Sequence, residues 1–360
     1  MTAEPTLESV FRKRSEQTAD ELPCFSLICA AVADDPRLAA CLDELPVDWT
    51  LADRFTTAVS HVLRTRLPGH PLAAYFPTLG GSAQPGPGLV AVLAEFVAEH
   101  HDALIESVAR GNARWNDPAR VAHFWPALTH VAARDDRPLS LVELGGAAGL
   151  TAQPDRYGYR FGDRLINGDR PLVLDLELRG VAPADLDHPV DIAGRTVIDL
   201  DPLHLTDPET VAWMRASVRP DLDDSLRRLD LAIAEADGVS IDWRVGDLVD
   251  LLPAALAEIP TGHLPVVYGS AVLCCLYERR SHFARALAAA GRDLVWLALE
   301  APANSLSLVS DDPLGEVKDK FHLLSVTYRE GRPVAAELLA ESDPWGRWLD
   351  WNPRPVPLRD

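Results

Sequence analysis

The chain has 360 residues, of which 47% are hydrophobic and 24% charged, and a formal net charge of −20 at pH 7. That length predicts two domains, or one large domain with a cap, in an ordinary globular composition. The acidic balance argues against a sequence-independent grip on DNA or RNA, which needs a lysine and arginine surface to displace counterions.

The opening segment "MTAEPTLESVFRKRSEQTADELP" lacks the apolar core of a signal peptide. No stretch approaches the roughly 18 apolar residues of a membrane span. The five cysteines form no CxxC pair and no zinc spacing, which reads as reduced thiols. A cytoplasmic protein without membrane or nucleic-acid partners is expected.

From about Phe11 to His130 the pattern is helical. In "GLVAVLAEFVAEHHDALIESVARG", Leu89, Leu93, Phe96, Val97, Leu104, Ile105 and Val108 recur at three- and four-residue intervals. They line one face of a single predicted helix that stops near Gly111. "LPGHPLAAYFPTLGGSAQPGPG" before it is broken by Pro and Gly into loop. "DPARVAHFWPALTHVAAR" gives a further helix, with Asp117 as cap and Pro118 at its first position. Residues 1–135 are therefore expected to form a helical cap domain.

After Arg137 strands alternate with helices. "LSLVELG" is a continuous apolar run, as for a parallel strand buried on both faces. "RTVIDLDP", "VSIDWRVGD", "LPVVYGSAVL" and "RDLVWLALEAP" give four more strands. Within this run "TDPETVAWMRASV" starts a helix capped by Thr206 or Asp207, with Glu209 reaching back. "FHLLSVTYREGRPVAAELLAE" reads as a closing hairpin around a Glu-Gly turn. The predicted fold over residues 136–360 is α/β, a Rossmann-like doubly wound sheet with a terminal antiparallel hairpin.

In such a sheet, ligands sit beyond the carboxyl ends of the strands. Glu143 and Gly145 lie there after the first strand, Asp199 and Asp201 after the second, and Asp247 after the third. Tyr268 to Ser270 end the fourth strand and Glu300 the fifth. Glycines at a bend admit a ligand close to the backbone. Acids at the next two strand ends suit ribose hydroxyls and an amino group but repel phosphate. The pattern thus favours an adenosine without a pyrophosphate, and S-adenosylmethionine is the expected cofactor. A dinucleotide fingerprint starting at Gly145 fails at Ala147 and Leu150, and no P-loop exists. The acid followed by Gly-x-Gly-x-Gly is matched by Glu143, Gly145 and Gly149, with Ala147 at the middle glycine. Gly146, Leu248 and Ser270 complete the expected cofactor set. No metal site is expected, because the adjacent His100 and His101 do not face one another on a helix.

"LSLVELGGAAGLTAQPDRYGYRFGD", "IDLDPLHLTDP", "WRVGD" and "GRWLDW" together resemble the bacterial domain-of-unknown-function 2332 family, over most of the chain. The similarity of that family to class I methyltransferases implies a core of the methyltransferase type. It also implies that Glu143, Gly145 and Gly149 contact the methionine end, Asp199 the ribose and Asp247 the adenine. The chain departs from the family pattern at Arg114, Trp115, Asn116 and Asp117, which puts the substrate or the activity in doubt.

About fifty residues separate Gly149 from Asp199, more than a strand-helix-strand connection needs. "YGYRFG" and "PLVLDLELRG" both have the period of a half-buried strand, with Leu172, Leu174, Leu176 and Leu178 opposite Asp175 and Glu177. Residues 151–195 are expected to be a β insertion lying over the cofactor mouth, with Arg156, Tyr157 and Tyr159 meeting a substrate. A hairpin that extends the sheet is the alternative. Methyl transfer is chiefly a matter of alignment, and a base helps only where the nucleophile must lose a proton. Tyr268, Glu300 and Asp155 are the catalytic candidates, with His282 behind them. Cys274 and Cys275 are expected to be small buried residues. The functional expectation is an S-adenosylmethionine-dependent transferase, first a methyltransferase, acting on a small molecule. Aminocarboxypropyl transfer or cyclisation, and a non-catalytic binding role, stay open.

Overall fold

A computed structural model describes residues 5–43, 45–111, 113–114, 116–318, 320–343 and 347–359. Trp115 lies outside the described residues. The chain forms two compact units, one of residues 1–115 and 204–230, the other of residues 116–203 and 231–360.

The first unit is helical. It holds α1 (Leu7–Thr18), α2 (Pro23–Asp34), α3 (Pro36–Ala40), α4 (Leu51–Thr65), α5 (Pro87–Glu99), α6 (His101–Val108) and α8 (Pro208–Ser217), and it ends inside α9 (Asp223–Glu235). Proline opens α2, α3, α5 and α8, where the missing N–H has no partner to lose. α4 packs on α1, α6 and α8, and Phe11, Phe25, Phe55 and Phe96 are fully buried between the helices. The α2 N-terminus has no cap of its own. Asp221 supplies one, accepting from Cys24 N at 2.8 Å and Phe25 N at 2.9 Å. The single helix expected over Leu89–Val108 is two, because His100 leaves the helical region at φ −123° and ψ 24°. Asp207 caps α8, but Glu209 does not reach back. Its carboxylate meets Arg110 at 2.7 Å and His61 at 3.0 Å.

The second unit is mixed α/β around one large sheet. Its strands are β1 (Leu139–Leu144), β2 (Gly158–Phe161), β3 (Arg164–Ile166), β4 (Val173–Gly180), β5 (Ile192–Asp199), β6 (Asp242–Val245), β7 (Leu264–Ser270), β8 (Leu294–Glu300), β9 (Phe321–Arg329), β10 (Arg332–Ser342) and β11 (Trp348–Val356). The order is β3-β2-β4-β11-β10-β9-β8-β7-β1-β5-β6. Five strands, β6-β5-β1-β7-β8, are mutually parallel. In chain order they run 3-2-1-4-5, the Rossmann arrangement whose ligand crevice opens at the reversal beside the first strand. Every residue of β1 and β8 is buried, as a parallel strand covered on both faces requires. α10 (Leu248–Glu258) and α11 (Arg280–Ala289) flank the sheet, sharing a core with Val142, Val267, Trp296 and Leu324. α7 (Val121–Ala132) contacts β4 and β8.

The closing hairpin is β9–β10, turning at Glu330 and Gly331 with φ of 49° and 76°. Two positive φ angles in succession are what a tight hairpin turn needs, and glycine supplies one of them freely. β11 beyond it was not legible as a strand. The insertion contributes β2, β3 and β4, and β4 pairs with β11 in parallel. It extends the sheet at the edge remote from β6. Leu172, Leu174 and Leu176 are buried while Asp175 and Glu177 are exposed, as the period of two predicts.

Candidate functional site

β1 ends in a bend that alternates left-handed residues, with φ of 65° at Gly145, 49° at Ala147 and 70° at Gly149. Ala147 thus takes a left-handed backbone conformation that glycine adopts freely, at a cost of roughly 1–2 kcal/mol for its Cβ. Asp199, at the end of neighbouring β5, holds the bend in place. Its Oδ2 accepts from Ala147 N at 2.9 Å and its Oδ1 from Asp201 N at 2.8 Å. Leu203 N closes the clamp by donating to Ala147 O at 2.9 Å.

The three glycines are needed by the protein's own packing. A Cβ on Gly145 would meet Val272 Cγ2 at 2.8 Å, and one on Gly146 would meet Glu143 Oε2 and Val197 Cγ1 at 2.7 Å. One on Gly149 would meet Ile241 Cδ1 at 2.8 Å. Asn116 Oδ1 accepts from Leu150 N at 3.1 Å, so the segment that departs from the expected family pattern supports the far side of the bend.

Glu143 is buried under it. The Thr151 hydroxyl donates to Glu143 Oε1, and Oε2 has no partner among the described residues. Burial pushes this carboxyl up to about 8, against the Thr151 hydrogen bond and with the nearby Asp199 charge. Tyr268 on β7 joins the same cluster, its hydroxyl donating to Thr151 O at 2.9 Å and its ring set edge-on to Phe124. The phenol is fully buried, burial raises it well above its ordinary value, and its hydroxyl braces the cluster through Thr151 O.

Glu300, at the end of β8, is the second buried carboxyl, with none of its surface exposed. Its Oε1 accepts from Val272 N at 2.6 Å and Leu273 N at 2.7 Å, and Oε2 has no partner among the described residues. Burial pushes it up to about 7, although both N–H groups and the charge of Arg120 favour the anion. Such a group can take or give a proton near neutrality.

Ser270 at the end of β7 is half-buried, and Arg120 Nη1 donates to its Oγ at 3.4 Å. Arg120 is a site residue the sequence reading missed. It stands behind Pro118 in what reads only as a helix start, and no motif marks it.

Asp247 follows β6 and caps α10, accepting from Val249 N at 2.8 Å. Its other oxygen pairs with Arg279 Nη1, while Arg279 Nη2 reaches Asp250 at 2.6 Å. The adjoining Leu248 is buried. Two large apolar side chains stand exposed at neighbouring strand ends, Leu200 after β5 at 72% and Val245 on β6 at 64%.

The remaining predicted residues lie elsewhere. The structure buries Tyr157 and Tyr159 completely. Tyr157 donates to Leu150 O at 2.7 Å and accepts from Gln153 Nε2 at 3.0 Å, and Tyr159 donates to Pro154 O at 2.5 Å. Tyr159 stacks on Trp125 at 4.9 Å. Neither ring offers a surface to a substrate. Asp155 pairs with Arg195 at 2.5 Å, and Arg156 beside it is half-buried. His282 is exposed on α11. Cys274 and Cys275, expected in the interior, are both exposed. They follow Leu273 into a 3₁₀ segment, Leu273–Arg279, where Leu273 alone is buried. His70, Glu99 and His100 cluster in the first unit, but His70 Nδ1 accepts from Leu72 N at 3.1 Å. That bond keeps the proton on Nε2 and takes this lone pair away from a metal.

A family profile matches residues 8–351, and the chain belongs to that family, described as "Uncharacterized protein conserved in bacteria (DUF2332)". No curated protein matches the chain. Among the described residues no helix is long and apolar enough to cross a membrane.

Proposed function

We propose that the chain is an S-adenosylmethionine-dependent transferase acting on a small molecule, with methyl transfer as its first activity. The observation that carries the reading is the parallel core in 3-2-1-4-5 order, with a left-handed bend after its first strand and Asp199 and Asp247 at the next two strand ends. Ligands of this sheet type bind at that reversal.

The residues fit an adenosine bearing an amino-acid arm. A carboxylate oxygen has more than one acceptor direction, so Asp199 can clamp Ala147 and still take a ribose hydroxyl. Asp247 accepts similarly from an adenine amino group, and the exposed Leu200 and Val245 give the base an apolar surface. Arg120, with Ser270, offers the positive charge that the amino-acid carboxylate needs. When bound, the cofactor supplies an electrophilic carbon attached to its sulfonium. The chain's own part is to align the acceptor, exclude water and move a proton. Glu300 is the group for that last task, held by two N–H groups through one oxygen and without a partner among the described residues at the other, buried one.

Calorimetric titration with S-adenosylmethionine and S-adenosylhomocysteine tests the reading. Saturable binding of both is expected, and no heat from either at millimolar concentration removes it. Mass spectrometry after incubation with the cofactor then separates the chemistries, since methylthioadenosine as product marks transfer of the aminocarboxypropyl arm.

A further inference from the structure

Among the five cysteines, Cys24, Cys29 and Cys41 are buried and the adjacent Cys274 and Cys275 are exposed. The two thiols lie side by side, Sγ to Sγ at 3.8 Å. The segment that carries them is conformationally constrained at both ends. Ala271 before it has φ 54°, and Tyr277 after it has φ 46° with ψ −117°, both in the left-handed half of the map that costs a non-glycine residue energy. It is also fastened to the site, because Val272 N and Leu273 N are the donors to Glu300.

We propose that Cys274 and Cys275 are a peroxide-sensitive dithiol that closes reversibly into a disulfide between neighbouring residues. The inference rests on the thiols and their loop, and it stands or falls independently of the cofactor. With the neighbouring Cys274 S–H directed at it, the Cys275 sulfur is held below the ordinary thiol range, and its thiolate is the attacking form. That thiolate attacks hydrogen peroxide, the O–O bond breaks, and Cys275 becomes a sulfenic acid with hydroxide leaving. The Cys274 sulfur then attacks the sulfenic sulfur, the S–O bond breaks and a second hydroxide departs. The thiol protons neutralise both hydroxides, so two thiols and one peroxide give one disulfide and two waters. Adjacent Cα atoms stand about 3.8 Å apart, closer than disulfides prefer, and such strained bonds are readily reduced. The pair is therefore suited to switching and not to stapling the fold.

The test is brief exposure of the full chain to a few equivalents of hydrogen peroxide, followed by thiol titration in denaturant. Two of the five thiols should disappear. The peptide containing Cys274 and Cys275 should be lighter by two hydrogens, without a cross-linked dimer on a non-reducing gel, and dithiothreitol should restore it. Cys274→Ser should stop at a sulfenic acid on Cys275 that dimedone traps, whereas Cys275→Ser should slow peroxide consumption by about tenfold. A titre that stays at five overturns the proposal, as does a sulfinic acid at either residue or a disulfide formed between chains.

Discussion

The carboxyl ends of the parallel strands and the insertion around β2–β4 both carry buried polar side chains, and they differ in how their tyrosines and carboxyls are paired. In the insertion, every tyrosine hydroxyl has its partner. Tyr157 and Tyr159 donate to main-chain carbonyls, and their rings are closed off from solvent. At the strand ends two buried carboxyls, Glu143 and Glu300, each leave one oxygen without a partner among the described residues, while Leu200 and Val245 stand exposed at neighbouring strand ends. A buried polar atom without a partner costs stability, and on the proposed function the two carboxyl oxygens at the strand ends serve a ligand or a proton. The two tyrosine rings of the insertion are packed as architecture, and the proposed function puts its site at the acidic strand ends.

The largest loss from a single substitution that could break this contrast is in the insertion. Tyr159→Ala removes a fully buried ring stacked on Trp125 and should cost about 3–5 kcal/mol by denaturant unfolding. A loss under about 1 kcal/mol would mean that the ribbon is not part of the core.

The pH dependence of stability comes next. Glu143 and Glu300 lie at about 8 and about 7 in the folded chain, against an ordinary 4.5. The folded state therefore holds more protons than the unfolded one between these values, and stability falls as pH rises. The favourable contribution is complete below pH 4.5 and lost through pH 7 and 8, on the order of 5 kcal/mol for Glu143 and 3 kcal/mol for Glu300. The melting temperature should drop from pH 5 to pH 8.5, and Glu143→Gln should flatten that slope. An unchanged slope in the variant would remove Glu143 from the account.

Smaller effects sharpen it. Tyr157→Phe strips one satisfied hydroxyl and leaves Leu150 O and Gln153 Nε2 without it, an expected loss of about 1–2 kcal/mol with no change in ligand binding. Ala147→Gly relieves a left-handed alanine and should raise stability by up to about 1 kcal/mol, the relief being partly offset by unfolded-chain entropy. A destabilised glycine variant would show that the Ala147 methyl packs to advantage.

The parallel strands β1, β7 and β8 were legible as apolar runs and β5 and β6 by the Asp or Gly-Asp that ends them, and the closing hairpin because Glu-Gly marks its turn. The period of two in Leu172–Leu176 identified β4, yet no local pattern says that it pairs with β11, which follows some 170 residues later and carries Pro353 and Pro355. The helix break at His100 was hidden by an apolar stripe that continues through it. Residue type and position put Glu143, Asp199, Asp247 and Glu300 at the strand ends but did not give their partners. Asp199 was read as a ligand group, whereas its first task is to clamp Ala147, a contact that only the pairing of β1 with β5 creates. Arg120 was missed because it comes from a helix start about 150 residues before Ser270, which it meets.

On the proposed function, these strand ends hold an adenosine with a charged amino-acid arm. Parallel calorimetric titrations of the wild type and Arg120→Met with S-adenosylhomocysteine and with methylthioadenosine, which lacks the arm, test it most directly. Both ligands should bind the wild type. The substitution should weaken S-adenosylhomocysteine by at least about tenfold and leave methylthioadenosine within about twofold, since only the first carries the carboxylate. Failure of both ligands to bind the wild type, or an equal loss of both in the variant, would contradict the account.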